Sequence, residues 1–109
     1  MKKYIEVCYS LPEETIIEIE IIQLIKSTEQ IKVSKSEIVE NVLVNSFDIF
    51  EEELEYVDIL RAIVTDFIEP IKQTYTISVD IIDKLDYYAH ALGISQAHLI
   101  MASIVFDEK

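Results

Sequence analysis

The chain has 109 residues, half of them hydrophobic, and a net charge of -12 at pH 7. A chain of this length and composition can bury one core without disulfides, so we expect a single compact domain over residues 1–109. One cysteine and one glycine exclude an internal disulfide, a cysteine metal cluster and a glycine-rich nucleotide loop.

The first predicted elements are a strand and a helix. Residues 4–10 alternate, which predicts a half-buried strand with Glu6, Cys8 and Ser10 on its polar face. The stretch Leu11-Pro12-Glu13-Glu14 predicts a helix start, because proline and acids favour the first turn. The predicted buried stripe of this helix is Ile17, Ile21, Leu24, Thr28 and Ile31. Residues 15–25 also alternate in part and are rich in isoleucine, so a strand there is the alternative.

A second and a third helix are predicted next. Ser34 followed by Glu37 forms a capping box, and the apolar stripe after it is Ile38, Val39, Val42, Leu43 and Phe47. Residues 48–69 predict a further helix that ends at Pro70, with Leu54, Val57, Val64 and Ile68 facing inward. Half of the net charge lies in residues 48–73, which we interpret as an acidic connecting helix.

The opening pattern then returns. Residues 74–79 alternate, with Thr74, Thr76 and Ser78 on the polar face, and Asp80 is the predicted cap of the next helix. The buried stripe of that helix is Ile82, Leu85, Ala89 and Leu92, and Gly93 is expected to end it in a left-handed conformation. Ile94 and Ser95 open a last helix that carries Leu99, Ile100, Ile104 and Phe106.

The two ends of the chain therefore share an order of strand, helix, apolar-Ser step and helix. Apolar residues fall four, five and nine positions after both Ser34 and Ser95. We interpret residues 1–47 and 74–109 as two divergent copies of one unit. Coincidence in an isoleucine-rich chain is the alternative.

This order resembles the ribbon-helix-helix family of the MetJ/Arc type. The residues that carry the resemblance are Val7 to Glu14 and Val33 to Val39 in the first copy, and Thr76 to Asp80 and Ile94 to Ile100 in the second. The resemblance implies a mainly helical fold in which two strands form an antiparallel ribbon over four helices. Since both copies lie in one chain, we expect an intramolecular pseudo-dimer that is monomeric in solution, with further self-association left open.

The resemblance also implies candidate DNA-binding residues. Outward side chains of the ribbon would read the major groove, namely Glu6, Cys8, Ser10, Thr74, Thr76 and Ser78. The N-termini of the second helix of each copy would bind phosphates, through Ser34, Lys35, Ser36, Ser95 and Gln96. An ordinary solvated sheet face and simple helix capping are the alternatives for these two sets.

Two functions are compatible with the sequence. The first is a DNA-binding regulator or nucleoprotein accessory factor whose partner is double-stranded DNA. The second is an acidic protein-binding module, antitoxin-like or a DNA mimic, whose partner is a basic protein, because acidic chains bind phosphates poorly. We expect no enzymatic activity, cofactor or metal site. His90 and His98 lie eight residues apart across a helix boundary, and Cys8 has no catalytic partner in the sequence. No apolar run is long enough for a membrane helix, and we expect a cytoplasmic protein.

Overall fold

In the part of the chain that the structure describes, two strands are each followed by a pair of helices. A computed structural model of the protein describes residues 3–52 and 69–107. In chain order the elements are β1 (Tyr4–Leu11), α1 (Glu13–Lys26), α2 (Lys35–Glu52), β2 (Ile71–Ser78), α3 (Val79–Leu92) and α4 (Gln96–Asp107). The described part is therefore mainly helical with one small sheet, as the sequence predicts.

β1 and β2 form a two-stranded antiparallel ribbon. They pair along their whole length, with Tyr4 opposite Ser78 and Leu11 opposite Ile71. The inner face of the ribbon contributes Leu11, Tyr75 and Ile77 to the core. The alternation predicted for both strands is confirmed, although β2 begins at Ile71 and not at Thr74.

The centre of the core lies between α2 and α4, which pack against each other. The buried side chains there are Ile38, Val39, Val42, Leu43 and Phe47 from α2, and Leu99, Ile100 and Ile104 from α4. α2 also packs against β2, and α4 packs against β1. Each strand is thus flanked by the second helix of the other half of the chain. The predicted stripe of α2 is confirmed, and so are Leu99, Ile100 and Ile104 of the stripe of α4, whereas the side chain of Phe106 lies outside the described residues.

The first helix, α1, forms as predicted, but the face that it buries is not the predicted one. Residues 13–26 are helical, so the strand alternative is excluded. Thr15 and Ile19 are buried, whereas Ile17, Ile21, Leu24 and Ile31 of the predicted stripe are exposed. Isoleucines occupy nearly every side of this helix, so helical spacing alone fits more than one buried face.

Helix caps fix the boundaries of the other helices. Ser34 Oγ accepts a hydrogen bond from the Glu37 amide at 3.1 Å, as the capping box predicts. The cap of α3 is Ser78, whose Oγ accepts from the Ile81 amide, so the prediction that Asp80 caps this helix is wrong. The predicted stripe of α3 is buried at Leu85, Ala89 and Leu92.

Gly93 ends α3 with a positive φ of 71°, and a Cβ added there would meet nothing within 4 Å. We expect Gly93→Ala to lower the free energy of unfolding by about 1–2 kcal/mol. An alanine side chain has room there, so the cost comes from holding a non-glycine residue in the left-handed conformation. Urea denaturation monitored by circular dichroism measures this loss. Gly93→Asn is the control and should lose less, since asparagine tolerates this conformation better. Equal stability of the Ala variant and the wild type would contradict this explanation.

The predicted acidic connecting helix is only partly within the described structure. α2 continues without a break to Glu52, so residues 48–52 belong to it, and residues 71–73 belong to β2. The predicted helix between them, with Leu54, Val57, Val64 and Ile68, lies outside the described residues. Among the helices that the structure describes, none is long and apolar enough to cross a membrane.

Candidate nucleic-acid interface

The outer face of the ribbon presents a row of exposed side chains. Pairing places Glu6 opposite Thr76, Cys8 opposite Thr74 and Ser10 opposite Lys72, and directly opposed residues share a face. All six are exposed, as is Tyr4 at the end of β1. Five of the six predicted ribbon residues, Glu6, Cys8, Ser10, Thr74 and Thr76, therefore lie together on one surface, which we call the ribbon face.

Sequence reasoning missed Lys72 and Tyr4. Lys72 was missed because the polar Gln73 occupies an inward position and hides the alternation before Thr74. Lys72 lies on the ribbon face with Glu6, so this face carries one positive and one negative side chain. The charges of the side chains on this face therefore cancel, whereas the whole chain has a net charge of -12.

Ser78 does not belong to the ribbon face. Its side chain is only 2% exposed, and its hydroxyl caps α3. The last residue of β2 is also the N-cap of the helix, and the chain turns inward at that point. The prediction that Ser78 contacts DNA is therefore wrong.

The middle of the ribbon face is the pair Cys8 and Thr74. Cys8 Sγ and Thr74 Oγ1 lie 3.3 Å apart and form a hydrogen bond in an exposed setting. A thiol and a hydroxyl can each donate and accept, which suits contact with base edges. The groups at the centre of the face are small, so an approaching surface is not held off by long side chains.

The N-termini of α2 and α4 lie on opposite sides of the ribbon. Ser36 Oγ near the start of α2 accepts from the Thr76 amide at 2.9 Å, and Glu40 Oε1 accepts from the Ser78 amide at 3.1 Å. At the start of α4, Tyr9 Oη donates to Gln96 Oε1 at 2.8 Å. Both helix N-termini are therefore held next to the ribbon.

Two matching polar clusters connect the ribbon to the helices. In one, Gln96 accepts from Tyr9 and donates from Nε2 to Asp86 Oδ1 at 3.1 Å. Burial, and then the nearby charge of Asp86, raises the pKa of Tyr9 to about 12.

In the other cluster, Lys35 Nζ lies 3.5 Å from Glu20 Oε1. Burial, and then the charge of Glu20, raises the pKa of Tyr75 to about 12. The Tyr75 hydroxyl is buried and has no hydrogen-bond partner among the described residues. A tyrosine, a carboxylate and the first residue of a helix thus lie close together on both sides of the ribbon, but only Tyr9 donates a hydrogen bond to its helix.

The predicted phosphate-binding side chains already have partners within the protein. Ser34 caps α2, Ser36 Oγ accepts a hydrogen bond from the Thr76 amide of β2, and Lys35 forms an ion pair with Glu20. Ser95 caps α4 by accepting from the His98 amide at 3.1 Å, and Gln96 joins Tyr9 to Asp86. These side chains position the helix N-termini next to the ribbon, and the Lys35 side chain remains 43% exposed.

Within the described ranges, no cluster of three His, Cys, Asp or Glu side chains could hold a metal ion. Ser95 Oγ contacts His98 Nδ1, and Cys8 is exposed on the ribbon face.

No family model, curated protein or solved structure matches the chain.

Proposed function

We propose that the protein binds double-stranded DNA by placing the ribbon face in the major groove. The observation that carries this proposal is the exposed row of small polar side chains on a two-stranded antiparallel ribbon. Such a ribbon fits the width of the major groove, where base edges present donors and acceptors. Thr74, Thr76 and Ser10 supply hydroxyls, and Lys72 supplies a cation for phosphate or guanine.

The ribbon in this proposal belongs to an internal pseudo-dimer of two ribbon-helix-helix-like units. Its support is a constant offset in residue number between equivalent positions. The difference in residue number is the same for four pairs of equivalent residues: Tyr9 and Tyr75, Leu11 and Ile77, Ile19 and Leu85, and Glu20 and Asp86. The pair Cys8 and Thr74 lies at the centre of the ribbon, where the two units meet. A second offset, starting after the loop that follows the first helix of each unit, relates Ser34 to Ser95 and Lys35 to Gln96.

The net charge of -12 opposes DNA binding at long range. Charges separated by more than about 8–10 Å are largely screened at physiological salt, so the groups near the ribbon matter most. On the ribbon face itself, Lys72 offsets Glu6. We therefore expect weak non-specific affinity, and sequence preference that depends on the ribbon hydroxyls.

The test is selection of binding sites from pooled genomic fragments at about 50 mM and 200 mM salt. We expect Thr74→Ala combined with Thr76→Ala to reduce sequence preference at least about tenfold, because each lost base contact removes discrimination. Both side chains are exposed, so stability should stay close to that of the wild type. Asn41→Ala combined with Asn45→Ala, exposed on α2, is the matched control and should retain the preference. Absence of retained fragments even at low salt would exclude this function.

A second candidate function is recognition of a basic protein. Glu6 favours it, because a carboxylate on the ribbon face is poorly placed beside phosphates and well placed beside lysine or arginine. Glu6→Gln distinguishes the two functions. It should strengthen DNA retention if DNA is the ligand, and weaken capture of a basic partner if protein is the ligand.

A further inference from the structure

One face of α1 is exposed and apolar. Ile17 and Ile21 are 45% and 44% exposed, and Leu24 and Ile25 are 78% and 75% exposed. Ile31, in the connection after α1, is also exposed. Contiguous apolar patches of this kind mark interaction surfaces on soluble proteins. We call these five side chains the α1 face.

The fold itself does not require the α1 face to be apolar. The offset that relates Tyr9 to Tyr75 places Asp83, Tyr87, His90 and Ala91 of α3 at the positions of Ile17, Ile21, Leu24 and Ile25. Asp83, Tyr87, His90 and Ala91 are all exposed, and three of them are polar or amphipathic. Since α3 packs in the same fold without apolar residues at most of these positions, the α1 face has a role other than the core.

The connection after α1 is longer than its counterpart after α3 and carries a further exposed apolar side chain, Ile31. It covers residues 27–34, whereas the corresponding connection after α3 covers only residues 93–95. The extra residues form a turn in which the Thr28 amide donates to Ile31 O at 2.7 Å and the Ile31 amide donates to Thr28 Oγ1 at 3.0 Å. The turn fixes Ile31 in its exposed position beyond the end of α1.

Charges at the two ends of the α1 face have opposite signs. Glu13 and Glu14 lie at the start of α1, whereas Lys26 and Lys32 lie beyond Leu24, with Glu29 between them. A second copy of α1 packed antiparallel would place the acidic end of each helix beside the basic end of the other. Glu18 and Glu20 add negative charge along the middle of α1. A two-fold contact of this kind is self-complementary in apolar area, and it pairs opposite charges at its two ends.

We infer that two copies of this chain associate through antiparallel packing of their α1 helices. The ribbon is already paired within one chain, so this dimer differs from one formed by strand pairing. The contact is centred near Ile21, packs Leu24 and Ile25 of each copy against Ile17 of the other, and places Glu14 of each copy beside Lys26 of the other. It does not depend on whether the ribbon face binds DNA.

The test is sedimentation equilibrium over a wide range of protein concentration. The wild type should dimerise reversibly, and Leu24→Glu combined with Ile25→Glu should raise the dissociation constant at least about tenfold. His90→Glu combined with Ala91→Glu places the same charges at the equivalent positions of α3 and is the matched control, which should dimerise like the wild type. Circular dichroism checks that both variants fold. A monomeric wild type at all concentrations, or a dimer that both variants retain, would overturn the inference.

A charge exchange tests the antiparallel orientation. Glu14→Lys and Lys26→Glu should each weaken the dimer, because each places like charges together in the pair. The double variant should recover the wild-type dissociation constant, since every contact then has its signs reversed. If the double variant is weaker than either single variant, the helices are not antiparallel and the inference fails.

Discussion

Leu99→Ala is expected to lower the free energy of unfolding by about 2–5 kcal/mol, among the largest effects of any single substitution in this chain. Leu99 is fully buried in α4, where that helix packs against α2 at the centre of the core. Removal of its branched side chain leaves a cavity that two packed helices cannot easily fill. Equilibrium denaturation in urea measures the loss.

The equivalent position in the first half of the chain provides a second measurement. Ile38 follows Ser34 as Leu99 follows Ser95, and it too is fully buried. Ile38→Ala should therefore reduce stability by a similar amount. Leu24→Ala, at a side chain that is 78% exposed, is the control and should change stability by less than about 0.5 kcal/mol at concentrations where the protein is monomeric. A loss below about 1 kcal/mol at Leu99 would show that α2 and α4 do not form the core.

Alkaline pH is expected to destabilise the protein through its buried tyrosines. The pKa of Tyr75 is 10.0 in the unfolded chain and about 12 in the folded protein. Because the folded value is the higher one, the stabilisation is complete below about pH 10 and is lost as the pH rises through about 12. Full ionisation of Tyr75 corresponds to a loss of up to about 3 kcal/mol, and ionisation of Tyr9 acts in the same direction.

Urea denaturation between pH 8 and pH 12 tests this dependence. Tyr75→Phe should flatten the profile above about pH 10, because the variant has no proton to lose at that position. At neutral pH it should be as stable as the wild type or more stable, since it removes a buried hydroxyl without a hydrogen-bond partner. Tyr4→Phe, at an exposed tyrosine, is the matched control. A profile that Tyr75→Phe leaves unchanged would show that this side chain is not the cause.

Helices with a clear start could be predicted from sequence down to the buried residues. Ser34 and Ser95 fix where α2 and α4 begin, and with the start known, the apolar spacing identifies one face only. The α1 helix lacks such a constraint, because Pro12 marks its start but isoleucines surround its axis. The buried face was set there by contacts with the rest of the core, which no local pattern records.

The ribbon face could be predicted in large part because strands have a strict period of two. That period placed Glu6, Cys8, Ser10, Thr74 and Thr76 on one surface. It failed at Ser78, where the strand ends and the helix cap begins, and at Lys72, where the strand starts earlier than predicted. The polar clusters around Tyr9 and Tyr75 could not be predicted, because their members lie far apart in sequence and meet only through the fold.

The hydrogen bonds that the β2 amides donate to α2 side chains also oppose aggregation. A strand at the edge of a sheet normally presents free amides to which a strand of another molecule can add, and repeated addition produces fibrils. Here Ser36 and Glu40 already accept from the amides of Thr76 and Ser78. An incoming strand would have to displace both side chains before it could pair. An isoleucine-rich chain with a ribbon of only two strands is thereby protected along this edge against polymerisation by strand addition.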